Sequence, residues 1–143
     1  MLGEENKAIL RREMEEVWNK GNFAVVDELI ATNFVLHDPS QPAEVKGPDG
    51  LKGYVSAFRL AFPDLHIAFE DMLAEGDKVA SRITLQGTHK GELAGIPATG
   101  KQIKVAGLSI DRLEGGKFVE TFVISDVLGM LRQLGVAPTP GQA

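Results

Sequence analysis

Lys101-Gln-Ile-Lys-Val-Ala-Gly-Leu-Ser-Ile-Asp-Arg-Leu113, Glu114-Gly115-Gly116, Lys117-Phe-Val-Glu-Thr-Phe-Val-Ile-Ser-Asp126 is the stretch that decides the fold. Two runs rich in β-branched and aromatic residues flank a glycine pair, which reads as a long β-hairpin. The same logic applies just upstream. Residues 65–73 and 78–88 are extended runs joined by Glu75-Gly76-Asp77, a second hairpin. Between the hairpins, residues 89–100 hold Gly91, Gly95, Pro97 and Gly100 and read as a long loop. Beyond them, Val127–Leu134 reads as a short terminal helix stopped by Gly135, and the tail 137–143 is expected to be frayed.

The first half has the other period. In residues 4–20, Leu10, Met14, Val17 and Trp18 recur at helical spacing, and Gly21 stands where a helix stops. Asn22 can cap a short second helix whose apolar side is Val25, Val26, Leu29 and Ile30. Asn33–Asp38 is a short extended piece, and 39–47, with two prolines and a glycine, is a loop. A third helix starts near Pro48, carries the stripe Leu51, Tyr54, Val55, Phe58, Phe62, and ends at Pro63. Helices followed by strands, without βαβ alternation, predict an α+β fold. Three N-terminal helices pack over the concave face of a bent antiparallel sheet, and 1–143 is one domain.

Composition narrows the function. The 143 residues carry a net charge of −5, and their basic residues are scattered. That argues against nucleic acid or an anionic membrane as a partner, since either needs a basic patch. The densest cluster, Lys7, Arg11 and Arg12, alternates with Glu4, Glu5, Glu13, Glu15 and Glu16 and reads as a solvated helix face. Without cysteine there is no disulfide, no thiolate catalysis and no cysteine-ligated zinc. The charged start shows no signal peptide, and no apolar run approaches the ~18 residues of a bilayer span. A cytoplasmic protein is the expectation.

A curved sheet closed by helices leaves an apolar cavity, so ionisable residues that interrupt apolar runs are the candidates for its chemistry. Asp126 ends the run Phe118–Ser125, and alternation sets it on one face with Glu120, Phe122 and Ile124. Desolvated there, it would serve as a general base; alternatively it caps the helix that follows. His37, His66 and His89 each fit a pocket role or a structural hydrogen bond. They lack HxH or HxxxH spacing, so no metal site is expected. Arg82 either faces the cavity or snorkels from the outer face of its strand. GxSxG, GxGxxG and phosphate-loop motifs are missing.

Several strings are familiar in combination. Asn33-Phe-Val-Leu-His-Asp-Pro39, Gly47-Pro-Asp-Gly-Leu51, Phe62-Pro-Asp-Leu65 and Glu75-Gly-Asp-Lys-Val79 stand in the order seen in SnoaL-like proteins. So do Gly87-Thr-His-Lys-Gly91, Gly95-Ile-Pro-Ala-Thr-Gly-Lys101 and Asp126-Val-Leu-Gly-Met-Leu-Arg-Gln-Leu-Gly135. From about residue 5 to 136 the chain resembles the SnoaL-like polyketide cyclase (ester cyclase) family. That resemblance implies the nuclear transport factor 2-like cone around a hydrophobic pocket. It also implies an aldol-type ring closure of a small apolar carbonyl or ester substrate, with neither metal nor organic cofactor. The family's acid/base aspartate ends the last strand, and Asp126 looks equivalent, with His37 beside it. Arg82, His89, Phe122, Glu120, Tyr54 and Phe58 are the expected substrate-binding residues. Phe122 stands where members commonly have tryptophan, and Ile124 offers no histidine near the aspartate.

Two alternatives stay open. One is an epoxide hydrolase or isomerase on the same fold, in which Asp126 and Arg82 would belong to an Asp–Arg–Asp set whose third place is taken by Thr84. The other is a non-catalytic binder of a small apolar ligand. A homodimer is also expected, joined through Val105, Leu108 or Ile110 with Val119, Thr121 and Val123.

Overall fold

The computed structural model describes residues 1–138, and the expectation for 139–143 lies outside the described residues. The first helix, α1 (Leu2–Glu13), continues into a π-helical segment over Met14–Asn19. Gly21 follows at φ +69°, and the Asn22 side chain caps a 3₁₀ turn, Phe23–Val25, that leads into α2 (Val26–Leu29). β1 (Ile30–His37) and the two-residue β2 (Val45–Lys46) come next, then α3 (Gly47–Ala61) with Pro48 in its first turn. The hairpins are β3 (His66–Glu75) with β4 (Lys78–Thr88), and β5 (Gln102–Glu114) with β6 (Lys117–Ser125). Helix α4 (Val127–Gln133) follows β6 directly.

These strands form a six-stranded sheet in the order β2-β1-β6-β5-β4-β3. The hairpins and the β4–β5 pairing are antiparallel, as their turns dictate. The sheet as a whole is mixed, which corrects the expectation of a purely antiparallel one. β1 runs parallel to β6, with Val35 opposite Glu120 and His37 opposite Phe122. A parallel pair between distant segments leaves no local turn signal, so only the assembled fold reveals it.

Two apolar clusters hold the helices on the sheet. Leu10, Val17, Val26, Leu29, Leu51 and Val55 pack with Phe34, Leu36 and Phe118, while Ala61, Phe62 and Leu65 pack with Ile67, Ile103 and Val105. The α3 stripe therefore points at the sheet as expected, with Tyr54 and Phe58 half-buried at its inner edge.

β6 settles which way its alternating residues face. Thr121, Val123 and Ser125 look inward, whereas Phe122 and Ile124 lie on the exposed outer face. On β5 the inward set is Val105, Ser109 and Asp111, and the outward set is Leu108 and Ile110. Alternation thus grouped the residues correctly, but the bulky set on β6 faces out. Asp126 sits at the end of that strand and is exposed. Its Oδ1 accepts a 2.8 Å hydrogen bond from the Gly129 amide, so it is the N-cap of α4. Replacing Asp126 by alanine should cost about 1 kcal/mol of stability, the usual loss of a helix cap, and leave turnover near wild type. A fall in turnover of more than tenfold in the folded variant would return Asp126 to the active site.

Candidate active site

Between helices and sheet lies a cavity of about 340 Å³. Its wall is apolar around most of the circumference: Leu10, Met14 and Trp18 from the first helix and its π segment, Tyr54 and Phe58 from α3, and Phe69, Ile83 and Val105 from the strands. The π segment winds one extra residue into Met14–Asn19, and such bulges recur at functional sites. Trp18 then stands edge-on to Tyr54 at 5.6 Å between ring centroids and tilts against Phe58 at 5.9 Å. Asp38, Ser40 and Gln41 of the β1–β2 loop, Leu93, Ala94 and Ile96 of the β4–β5 loop, and Val127, Met130 and Leu131 of α4 complete the lining.

The polar groups converge on two carboxyls. Asp111, on central strand β5, is only 7% exposed; Thr121 Oγ1 donates to one of its oxygens and Ser109 Oγ donates to the other at 2.9 Å. Burial pushes its carboxyl up to about 6, although both hydroxyl bonds favour the ionised form. Glu13, the last residue of α1, is 8% exposed and forms no ion pair among the described residues. Burial, and then the neighbouring charge of Asp111, pushes it up to about 8, opposed only by the Trp18 indole. Among the described residues, no lysine, arginine or histidine lines the cavity. Burial raises both carboxyls and raises Glu13 further than Asp111, and surroundings that push two carboxyls apart in this way can divide them into an acid and a base.

Three further groups are placed to meet a ligand. Ser81 on β4, opposite Ser109 in register, is buried with a hydroxyl that has no hydrogen-bond partner among the described residues. Tyr54 donates a 2.6 Å hydrogen bond to Asp38 Oδ2, and burial together with that bond raises its phenol above the ordinary range. Asp38 also accepts from the Ser40 amide and hydroxyl, which fixes the loop beside the cavity.

Of the residues expected from sequence, Tyr54 and Phe58 line this cavity; the others do not. His37 lies outside it, its Nδ1 2.8 Å from Glu44, its Nε2 2.9 Å from Glu120, and its ring stacked on Phe122 at 4.3 Å. Glu120 and Phe122 accordingly serve an outer cluster, and the His37 hydrogen bond holds the Glu120 carboxyl below its usual range. Arg82 is exposed and pairs with Asp71 at 2.8 Å on the neighbouring strand, so it does not form an epoxide-opening set with Asp126. His89 is fully buried against Phe62, where its Nδ1 accepts from the Thr99 amide and ties the ends of the β4–β5 loop together. Each of these side chains found a nearer partner outside the cavity.

Asp111 and Glu13 were legible in principle. Asp111 falls in step with the inward set Val105 and Ser109, and Glu13 stands three residues after Leu10 and four before Val17, on the apolar stripe of its helix. Its company of glutamates and arginines concealed it, so the solvated-face reading of that cluster fails at Glu13.

An α+β cone whose apolar cavity holds two buried carboxyls fits an enzyme of the acid/base type. Relatives agree: the description SnoaL-like polyketide cyclase matches residues 8–134. The chain belongs to the SnoaL-like polyketide cyclase family. It is 32% identical over 139 residues to the aklanonic acid methyl ester cyclase DauD of Streptomyces sp. strain C5, covering 92% of this chain and 83% of that one. It is 31% identical over 138 residues to the cyclase DnrD of Streptomyces peucetius, which bears the same aklanonic acid methyl ester name, covering 92% of both. A crystal structure of a candidate polyketide cyclase from Acidithiobacillus ferrooxidans superimposes with a TM-score of 0.82 at 36% identity, over 94% of this chain and 96% of that one.

Proposed function

We propose that this chain closes a ring in a neutral polyketide-type ester by an intramolecular aldol reaction, with Asp111 as the base. The observation that carries this reading is the buried Asp111 carboxylate, held by Thr121 and Ser109 in an otherwise apolar cavity. Asp111 removes a proton from carbon next to the substrate carbonyl, and the C–H electron pair moves onto the carbonyl oxygen as an enolate. The unpartnered Ser81 hydroxyl can donate to that oxygen as its charge develops. The enolate carbon then attacks a second carbonyl of the same molecule, and the new alkoxide takes up a proton. Trp18, Tyr54 and Phe58 supply the flat apolar walls that a polycyclic substrate would need, and the absence of lining cations favours a neutral ester over a free acid. The test is turnover of aklanonic acid methyl ester by the wild type, with the free acid as control. Conversion of the ester alone supports the reading; conversion of both at equal rates removes the charge argument.

The same reading includes a homodimer, with one correction to its surface. Val105, Thr121 and Val123 face the cavity and Val119 is buried, so they cannot meet a second copy. Leu108 and Ile110 on β5 pair in register with Ile124 and Phe122 on β6, and Leu108 and Ile124 are 62% and 64% exposed. A two-fold contact would cover this patch with its own copy, the Arg82–Asp71 pair nearby giving both signs of charge to match. Light scattering should report a dimer for the wild type and a monomer for Ile124→Lys; a monomeric wild type at micromolar concentration refutes the contact.

A further inference from the structure

We infer that Glu13 is the general acid that delivers the proton to the new alkoxide, a role that rests on the reading of Asp111 as base. Glu13 lies on the helix wall of the cavity, whereas Asp111 lies on its sheet wall, so the two carboxyls reach a bound substrate from different elements. Of the cations near Glu13 in sequence, Arg12 pairs with Glu28, Lys7 with Glu4 and Lys20 with Glu15 and Glu16, while Arg11 is exposed to solvent. Among the groups lining the same cavity, the titratable ones are Asp38, Tyr54 and Asp111, and Asp38 is already occupied by Tyr54 and Ser40. A second negative charge beside Asp111, with no cation lining the space, would go uncompensated. Glu13 therefore enters the reaction carrying its proton.

The proton balance closes without a co-reactant. Asp111 gains the proton that the α-carbon loses. As the carbon–carbon bond forms, the electrophilic carbonyl's π pair becomes an alkoxide lone pair, and that oxygen takes the Glu13 proton to become the product hydroxyl. The pair is left as neutral Asp111 and ionised Glu13. One proton passed back from Asp111 to Glu13, directly or through water, restores the starting state. Burial, the larger of the two causes that push Glu13 up to about 8, favours that return.

Three measurements decide the matter. First, the carboxyl of Glu13 in ¹³C-labelled protein, assigned by comparison with Glu13→Gln, should titrate above pH 7; a midpoint below 6 overturns the inference whatever the substrate. Second, with aklanonic acid methyl ester, Glu13→Gln should lower kcat by about 10–100-fold with little change in KM, because glutamine can hydrogen-bond to the oxygen but cannot transfer a proton. Third, the alkaline limb of the wild-type kcat–pH profile should vanish in Glu13→Gln. A Glu13→Gln enzyme with full kcat, or one that keeps the alkaline limb, overturns the assignment. Asp111→Asn separates the two readings: an active Asp111→Asn enzyme refutes Asp111 as base, whereas the titration of Glu13 in the wild-type protein tests its proton independently of that result.

Discussion

Asp111→Asn is expected to lower kcat by about 10²–10⁴-fold, the usual loss when a general base is removed. Asparagine has nearly the same shape and can still meet the Thr121 and Ser109 hydroxyls, so the centre of β5 stays paired. What disappears is a carboxylate that loses its own proton near pH 6 and is therefore free to accept one at neutral pH. The acidic limb of the kcat–pH profile should disappear together with the activity. Substrate binding, read from the fluorescence of Trp18, the chain's single tryptophan and part of the cavity wall, should change little. Wild-type turnover in a folded Asp111→Asn protein would show that the base lies elsewhere.

Stability should fall as pH rises through the range in which most proteins are steady. Glu13 titrates from an ordinary 4.5 in the unfolded chain to about 8 in the fold. Between those values the folded state holds a proton that the unfolded state has released, so alkali favours unfolding. Fully expressed above pH 8, this term is on the order of 5 kcal/mol. Asp111 adds a smaller loss of the same sign between 3.8 and about 6. Glu13→Gln removes the Glu13 term, so its stability relative to wild type should increase from pH 5 to pH 8 in urea denaturation. A difference that stays constant over that interval would mean that Glu13 is ionised in the fold. The same substitution is thus expected to stabilise the protein and weaken the enzyme, the trade that strained active sites impose.

The sequence by itself determined most of the elements, missing the short β2 at Val45–Lys46 and assigning Ile30, the first residue of β1, to the second helix. The turns Glu75-Gly76-Asp77 and Glu114-Gly115-Gly116 separate strand runs too long to be anything but hairpins, and Pro48 and Pro63 bracket the α3 stripe. Those are local signals, set by backbone sterics and by the periods of helix and strand. The cavity residues Tyr54 and Phe58 followed from the same helical stripe. Tertiary structure decided everything that depends on direction. Alternation tells which residues share a face, but a strand reads the same whether that face looks in or out. On β6 the larger side chains, Phe122 and Ile124, look out, and the small Thr121, Val123 and Ser125 leave room for the cavity. Partner choice was equally nonlocal. His37 meets Glu120 across 83 residues through the parallel β1–β6 pairing, and the Asp126 side chain accepts from the Gly129 amide of its own helix. Burial then singled out the candidate carboxyls, because excluding water raises a carboxyl toward neutral pH, and the tertiary structure does this at Glu13 and Asp111.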